Sequence, residues 1–382
     1  MVSEKMNQSD VTKDISIIGG SVAGFFTAYL LANEGCQVRV FEAAETIDPP
    51  PRSLIVTKYF QDLLGPIGDE TVINKIRRFE IFTDGRAATI SLTEPDLVIE
   101  REGAQIVTGK RFLDLEPNGG KLQFTLSGNG DGQPTKESTD TLVGADGAFS
   151  SVARSIGHPD PPTVFLTQAV VDLPNDLAPD TTRVWFVPEE TPYFFWLIPH
   201  SSDHGVLGLI GNKADDARQS IERFLDKKNL TPIEFQSARI ADYTGWRPNR
   251  HKIGSSHVYL VGDAAGHVKV STVGGVVTGL RGSMGTAQAI MNGGSSIELE
   301  ALRKELDRHR LIRWILNRFG QTEYSQLIDL LTPSTKRSLS QINRDEANKL
   351  LRSLVLKQPR LLLLALRTLI FGQRSQQTTT HD

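Results

Sequence analysis

Two short glycine-containing stretches, about 240 residues apart, are where this chain can do chemistry. Near the N-terminus the apolar run Ile15-Ser16-Ile17-Ile18 feeds Gly19-Gly20-Ser21-Val22-Ala23-Gly24; far downstream Val258-Tyr259-Leu260-Val261 feeds Gly262-Asp263-Ala264-Ala265-Gly266. The first suits a pyrophosphate. A buried strand ends in a turn too tight for side-chain bulk, and the next helix aims its free N–H groups and positive dipole end at the phosphates. The usual pattern is G-x-G-x-x-G with an acid about 20 positions on, which bonds a ribose hydroxyl. Gly19 and Gly24 take the outer positions, Ser21 takes the middle one, and Glu42 stands where the acid belongs.

The flanking residues predict the elements such a site needs. Phe25 to Asn33 predicts a helix ended by Gly35, and Gln37-Val38-Arg39-Val40-Phe41 a second strand leading into Glu42. After Pro49-Pro50-Pro51, residues 58 to 65 predict another helix. Short alternating runs from Phe79 to Glu100 predict antiparallel strands, with more between Gly103 and Thr125. Gly128 to Gly132 reads as a loop, and Thr141-Leu142-Val143 as a buried strand entering Gly144-Ala145-Asp146-Gly147. Strand-like stretches follow at Thr163 to Val171, Thr182 to Val187, Tyr193 to Ile198 and Gly205 to Ile210. Asp215 to Lys228 and Gly279 to Met291 predict helices, and the pattern stays helical from Ile297 to about Phe371 with a break at Pro333. The strands of 79 to 100 and of 160 to 212 are expected to share one sheet.

Composition narrows the function classes. At 382 residues the chain should form two or three structural units. A formal net charge of −3, with no Lys/Arg block, gives no argument for nucleic acid. Cys36 is the only cysteine, which excludes a disulfide framework and a cysteine metal site. No metal constellation is expected from the scattered histidines, and the absence of a G-x-S-x-G elbow leaves a hydrolase without support. No apolar run reaches the length of a membrane span. The nearest candidate, Leu361 to Leu366 between Arg360 and Arg367, reads either as a buried helix or as a surface that dips into lipid. In the lipid reading Arg352, Lys357, Arg360, Arg367 and Arg374 face anionic headgroups. The expected location is cytoplasmic, with peripheral membrane contact as the second option.

In this order the two glycine stretches look like the halves of an FAD site, and the chain resembles the class A flavoproteins. That fold is shared by aromatic hydroxylases, flavin halogenases and geranylgeranyl reductases. The resemblance runs from about Asp14 to Ile290. Gly19 to Gly24 resembles the first FAD turn, and Arg52, followed by Ser-Leu-Ile, the arginine near the FAD diphosphate. Gly144-Ala145-Asp146-Gly147 through Arg154 resembles a G-A-D-G-x-x-S-x-V-R stretch with one extra residue before the arginine. Asp263 matches the aspartate that bonds the ribitol chain. Thr272-Val273-Gly274-Gly275-Val276 resembles the reductases' T-G-G-G-I, a helix start beneath the isoalloxazine. Phe194-Phe195-Trp196-Leu197-Ile198-Pro199 is similar to aromatic strands of both reductases and halogenases, though a plain sheet core would use the same residues. The chain departs from the family in lacking the reductases' Cys-Gly-Gly, the proline after G-D-A-A and the halogenases' lysine segment.

The resemblance implies an α/β fold: a Rossmann-like FAD-binding domain (GR2 type) interrupted by an antiparallel substrate-facing sheet, with a helical C-terminus. The expected division is 12–78, 103–158 and 246–296 for FAD, 79–101 and 160–245 for the β-rich unit, 297–372 for the helical region, and disordered tails at 1–12 and 373–382. Gly19, Ser21, Val22, Ala23, Gly24, Glu42, Arg52, Asp146, Asp263, Gly274, Gly275 and Val276 are the expected cofactor-binding residues. Phe194 and Trp196 are expected to line the substrate site. Lys269 can stabilise a flavin anion or peroxide and His267 can relay a proton, although both also suit a plain loop. The implied electron donor is NAD(P)H or a reductase. Three readings stand: a reductase of a prenyl C=C bond; an FAD-dependent monooxygenase, hydroxylase or halogenase-like enzyme acting on an aromatic group, which includes a residue of a partner protein; and a non-catalytic FAD-binding partner. The substrate is expected to be small and hydrophobic or aromatic.

Overall fold

The computed structural model describes residues 13–45, 54–99, 108–128, 133–243, 245–346, 348–349, 351–352 and 359–371. Arg52, residues 100–107, residues 129–132, and residues 1–12 and 372–382 lie outside the described residues. The N-terminal part runs β1 (Asp14–Ile18), α1 (Val22–Asn33), β2 (Gln37–Phe41), β3 (Leu54–Val56), α2 (Tyr59–Leu64), α3 (Pro66–Asp69), β4 (Val72–Thr83) and β5 (Arg86–Ile99). Next come β6 (Phe112–Asn118), β7 (Lys121–Leu126), β8 (Thr135–Thr139), β9 (Thr141–Gly144), α4 (Ser151–Ser155), β10 (Thr163–Asp172), β11 (Thr181–Trp185), β12 (Phe195–Pro199) and β13 (His204–Gly211). The remainder is α5 (Ala214–Lys228), β14 (Pro232–Ala241), β15 (Arg250–Ile253), β16 (Ser256–Leu260), α6 (Val276–Met291), α7 (Ile297–Leu316), α8 (Gln321–Asp329), α9 (Pro333–Ser340) and a last helix over Pro359–Phe371.

Five strands in the order β15-β16-β9-β1-β2 form the first sheet, with β16, β9, β1 and β2 parallel and β15 antiparallel at the edge. Its central strands are apolar on both faces, as a covered parallel sheet requires. Ile15, Ile17, Val143 and Tyr259 pack with residues of α1 and α6 on one side. Leu142, Val258 and Leu260 meet Phe112, Leu122, Phe124 and Leu126 of the β6-β7-β8 meander on the other.

Eight strands in the order β14-β10-β13-β12-β11-β4-β5-β3 form the second sheet, antiparallel except at β11–β4. The strands of 79 to 100 and of 160 to 212 do share it, and β3 and the first half of β4 join from before residue 79. Alternation divides its faces. Phe195, Leu197 and Trp185 pack under α5, while Trp196 and Ile198 point to the opposite side. The runs read separately at 88–92 and 97–99 are one strand, because a register shift between Ile76 and Arg78 lets Pro95 sit where pairing lapses. β14 has no clear alternation and opens on Pro232; it is an edge strand, where a missing N–H is tolerated.

The C-terminal helices bind the two sheets together. α7 packs on α6, whereas α8 and α9 pack on β4 and β5. The last helix buries Leu364 against Phe319 and Tyr324 and leaves Leu363 and Leu366 exposed. Among the described residues no helix is long and apolar enough to cross a membrane. Leu142, fully buried on the middle strand of the first sheet, is expected to be a keystone of that core. Leu142→Ala should cost about 2–5 kcal/mol, the range for an emptied leucine site, read as a lower urea midpoint with unchanged slope.

Candidate functional site

The two glycine stretches meet at the carboxyl ends of β1, β9 and β16. A Cβ on Gly24 would lie 2.2 Å from the Gly19 carbonyl oxygen, so only glycine lets the first turn of α1 sit over the β1–α1 loop. Gly262 has φ +63, and a Cβ there would come 2.9 Å from the Cβ of Ala23, which joins the second stretch directly to the first. Ser283 Oγ of α6 donates to the Ala23 carbonyl at 2.9 Å and fixes the contact.

Ser21, at the middle position of the fingerprint, is the N-cap of α1. Its Oγ accepts from the Gly24 N–H at 3.2 Å and donates to the Ala145 carbonyl at 2.9 Å. Glu42 takes the Gly20 N–H at 2.7 Å and the Ala44 N–H at 2.9 Å, which holds its carboxylate over the turn. Asp146 is committed elsewhere: its oxygens accept from Ser150 Oγ and, at 3.2 Å, the Val152 N–H, at the start of α4. Burial raises its carboxyl above the ordinary range, against those bonds.

Asp263 lies in the 3-10 turn Gly262–Ala265, side chain exposed, and a Cβ on Gly275 would come 2.9 Å from its Oδ1. The aspartate therefore borders the start of α6. The segment before α6 is a tight hairpin, with the Lys269 N–H donating to the Gly274 carbonyl at 2.9 Å and the Gly274 N–H to the Lys269 carbonyl at 3.3 Å. Val273, at its tip, has φ 52, a strained position for a β-branched residue. Thr278 Oγ1 donates to the His267 carbonyl at 2.5 Å, and Ser271 meets His309 Nδ1 of α7 at 2.8 Å.

A cleft of about 100 Å³ opens beside this hairpin, between Leu54–Thr57 on one wall and Lys269 with Val273–Thr278 on the other; Arg344 and Asp345 close it. Phe194 and Trp196, rings edge to face at 5.9 Å, share an apolar cluster with Val273. Trp196 also joins Ile55, Phe79 and Ile198 in the next one. An apolar wall thus leads from the cleft across the second sheet.

The two expected catalytic groups, His267 as proton relay and Lys269 as stabiliser of a flavin anion or peroxide, are buried. His267 is fully enclosed, packed against Gly282 of α6, with its Nδ1 accepting from the Gly262 N–H at 3.2 Å. Burial lowers its pKa to about 3, so the ring is neutral. Lys269 pairs with Asp345; their side chains are 8% and 6% exposed. Sequence reasoning missed Asp345, Thr57 and His309. No local pattern marks them, because they reach the site from distant segments. His200 and His204 stand four residues apart with rings 6.3 Å apart at the β12–β13 connection. Among the described residues no group of three potential metal ligands occurs.

No protein-family model matches the chain. It is 26% identical to the geranylgeranyl diphosphate reductase of Rhodobacter capsulatus, over 73% of this chain and 75% of that one. It is also 26% identical to digeranylgeranylglycerophospholipid reductase 2 of Methanothermobacter thermautotrophicus, over 86% of this chain and 94% of the relative. Among solved structures, a geranylgeranyl bacteriochlorophyll reductase-like protein from Thermoplasma acidophilum superposes with TM-score 0.73 at 16% identity, covering 94% of this chain and 99% of the other. HpxO of Klebsiella pneumoniae, solved with FAD and uric acid, gives 0.59 at 18% identity, covering 90% and 97%. A flavin-dependent halogenase gives 0.58 at 16%, covering 96% and 74%. The fold is that of the FAD-dependent oxidoreductases. The glycine turn, the Glu42 carboxylate and the acid beside the α6 N-terminus fit that cofactor in kind and in order.

Gly24→Ala should raise the FAD dissociation constant at least about tenfold, a 1.4 kcal/mol step, with circular dichroism unchanged; tight FAD retention would argue against this cradle. His309, like His267, is held neutral, with a pKa near 3 from burial, Lys269 adding to the shift and Asp345 opposing it. In the unfolded chain both imidazoles take protons below about pH 6.5. Stability should therefore rise with pH between about 3 and 6.5, by up to about 1.4 kcal/mol per unit for each ring. The melting temperature is expected to fall from about pH 7 to about pH 5, and His267→Gln and His309→Gln should each flatten that slope.

Proposed function

We propose that this chain is an FAD-dependent reductase of the geranylgeranyl reductase type, which adds a hydride and a proton across a carbon–carbon double bond of a prenyl chain. The observation that carries this reading is the apolar wall of Ile55, Phe79, Trp196 and Phe194 beside the cleft at the α6 N-terminus. Such a surface suits an extended hydrocarbon lying next to a flat ring. The prenyl reductases among its relatives support the same substrate class.

FAD, when bound, supplies the hydride chemistry. The α1 N-terminus, with Gly19, Ser21, Val22, Ala23 and Gly24, would hold the diphosphate, and Glu42 the ribose; Arg52 is the further diphosphate contact that the family resemblance implies. Asp263 would take the ribitol hydroxyls, and the α6 N-terminus at Gly275 and Val276 would offer backbone N–H groups to the ring, where a helix N-terminus favours negative charge; Gly274, its own N–H bonded to the Lys269 carbonyl, would let the backbone approach. Asp146 acts indirectly by setting α4. Lys269, paired with Asp345, holds the hairpin that leads into α6, and His267 supports the Gly262–Ala265 turn as a packed neutral ring. Electrons come from NAD(P)H or a partner reductase. Leu363 and Leu366, exposed beside Arg360 and Arg367, form the surface that meets a lipid-borne substrate in the cytoplasm.

The deciding experiment reduces the purified flavoprotein without oxygen and then supplies either a geranylgeranyl lipid, still without oxygen, or air. Fast flavin reoxidation by the lipid, with saturated product, is expected. Slow reoxidation by lipid and fast reoxidation by air in the presence of an aromatic compound would replace the reductase with a hydroxylase. A chain that purifies without flavin and takes up none would overturn both.

A further inference from the structure

The cleft beside α6 has two walls from distant parts of the chain, and one carboxylate touches both. Asp345 Oδ2 accepts from Thr57 Oγ1 at 2.6 Å, on the wall that continues β3. Its Oδ1 receives the Lys269 ammonium, on the hairpin that leads into α6. Apolar packing also joins the walls, with Leu54 and Val56 in one cluster with Val276 and Val277, and Asp345 adds a polar link: Thr57 and Lys269 are more than 200 residues apart and meet through a residue 76 positions beyond Lys269. The carboxylate is itself held in place. Its own N–H donates to Asn343 Oδ1 at 2.9 Å. The neighbouring Arg344 guanidinium reaches Asp96 Oδ2 of β5 at 2.7 Å and lies over the Phe79 ring at 5.3 Å.

We infer that Asp345 is a positioning residue for the cofactor: it bridges the two walls of the cleft, sets their separation, and through Lys269 holds the Gly274–Val276 helix start at its working distance from the flavin. This rests on the FAD reading of the site but on none of its substrate chemistry. The charges support it. Burial pushes the Asp345 carboxyl up, yet the Lys269 ammonium and the bonds from Lys269 and Thr57 outweigh burial and hold it below the ordinary range. Asp96, whose carboxyl burial raises against the pull of Arg344, is the more readily protonated acid of the cluster. Asp345 thus stays ionised and keeps its grip on both walls. The grip passes to the backbone: Lys269 is bonded through both its N–H and its carbonyl to Gly274, the residue before the α6 N-cap.

The test measures FAD affinity and the flavin midpoint potential, without any prenyl substrate, in Asp345→Asn, Asp345→Glu, Thr57→Val and the charge-balanced Lys269→Met/Asp345→Leu. Asp345→Asn should weaken FAD binding about tenfold and displace the midpoint potential, with Asp345→Glu recovering part of both. Thr57→Val, which leaves the ion pair intact, should weaken binding by a smaller factor and keep the wild-type melting temperature. The double variant should regain thermal stability without regaining FAD affinity, because the polar link between the walls stays absent. If Asp345→Asn and Thr57→Val both bind FAD as the wild type does and at its potential, the inference fails. If the double variant restores affinity with stability, the pair serves the fold alone and the inference also fails. Failure of prenyl turnover in the wild type would leave these measurements standing and remove only the substrate assignment.

Discussion

Three backbone segments converge at one point: the turn after β1, the Ala145 carbonyl after β9, and Gly262 after β16. They approach so closely that a Cβ on Gly19 would collide with the Ala145 backbone and one on Gly262 with the Ala23 side chain, and everything else is arranged around that contact. The Gly19 N–H is spent on Phe41, the Ala145 N–H on Ile18 and the Val261 N–H on Gly144, so each loop leaves its strand already anchored to a neighbour. The consequence is electrostatic. With these amides satisfied, the first N–H groups of α1 and α6 are left for other acceptors, and a helix N-terminus favours negative charge.

The second sheet answers a different demand. It must hide α5 on one face and offer an apolar surface on the other, and the strict alternation of β12 does both. Phe195 and Leu197 vanish under α5, and Trp196 and Ile198 turn to the other face, where they pack with Ile55 and Phe79. The charged groups at the cleft are few and paired: Lys269 with Asp345, Arg344 with Asp96. Buried ions are tolerated only with partners, since an unpaired charge at such depth loses its hydration without return. That requirement draws the segment around residue 345 back over the site and makes the helical C-terminus part of it rather than an appendage.

The parts legible in the sequence were those governed by local physics. A tight strand–turn–helix needs glycines, a ribose contact needs an acid at the end of the next strand, and period-two alternation marks a half-buried strand. Gly19, Gly24, the place of Glu42 and the β12 pattern follow from such rules, and so does the broad plan of one sheet interrupted by a second; Asp263 stood out only through the family resemblance. The edge strand β14, the fusion of two short runs into β5 around Pro95, and the capping role of Ser21 were not read from the sequence, because each depends on contacts made in space.

Tertiary structure alone decided the rest. Nothing in the neighbourhood of Asp345 or Thr57 marks them as partners of Lys269, since an ion pair is a matter of distance in space and these residues are far apart in the chain. Nor could the sequence say that His267 lies sealed under α6 with its ring neutral; that follows from burial, which a residue's neighbours in sequence do not set. The chain itself determined which backbone turns can receive a dinucleotide. The packing of two sheets and a returning C-terminal segment determined which side chains surround it, because contacts over hundreds of residues are chosen by the whole core.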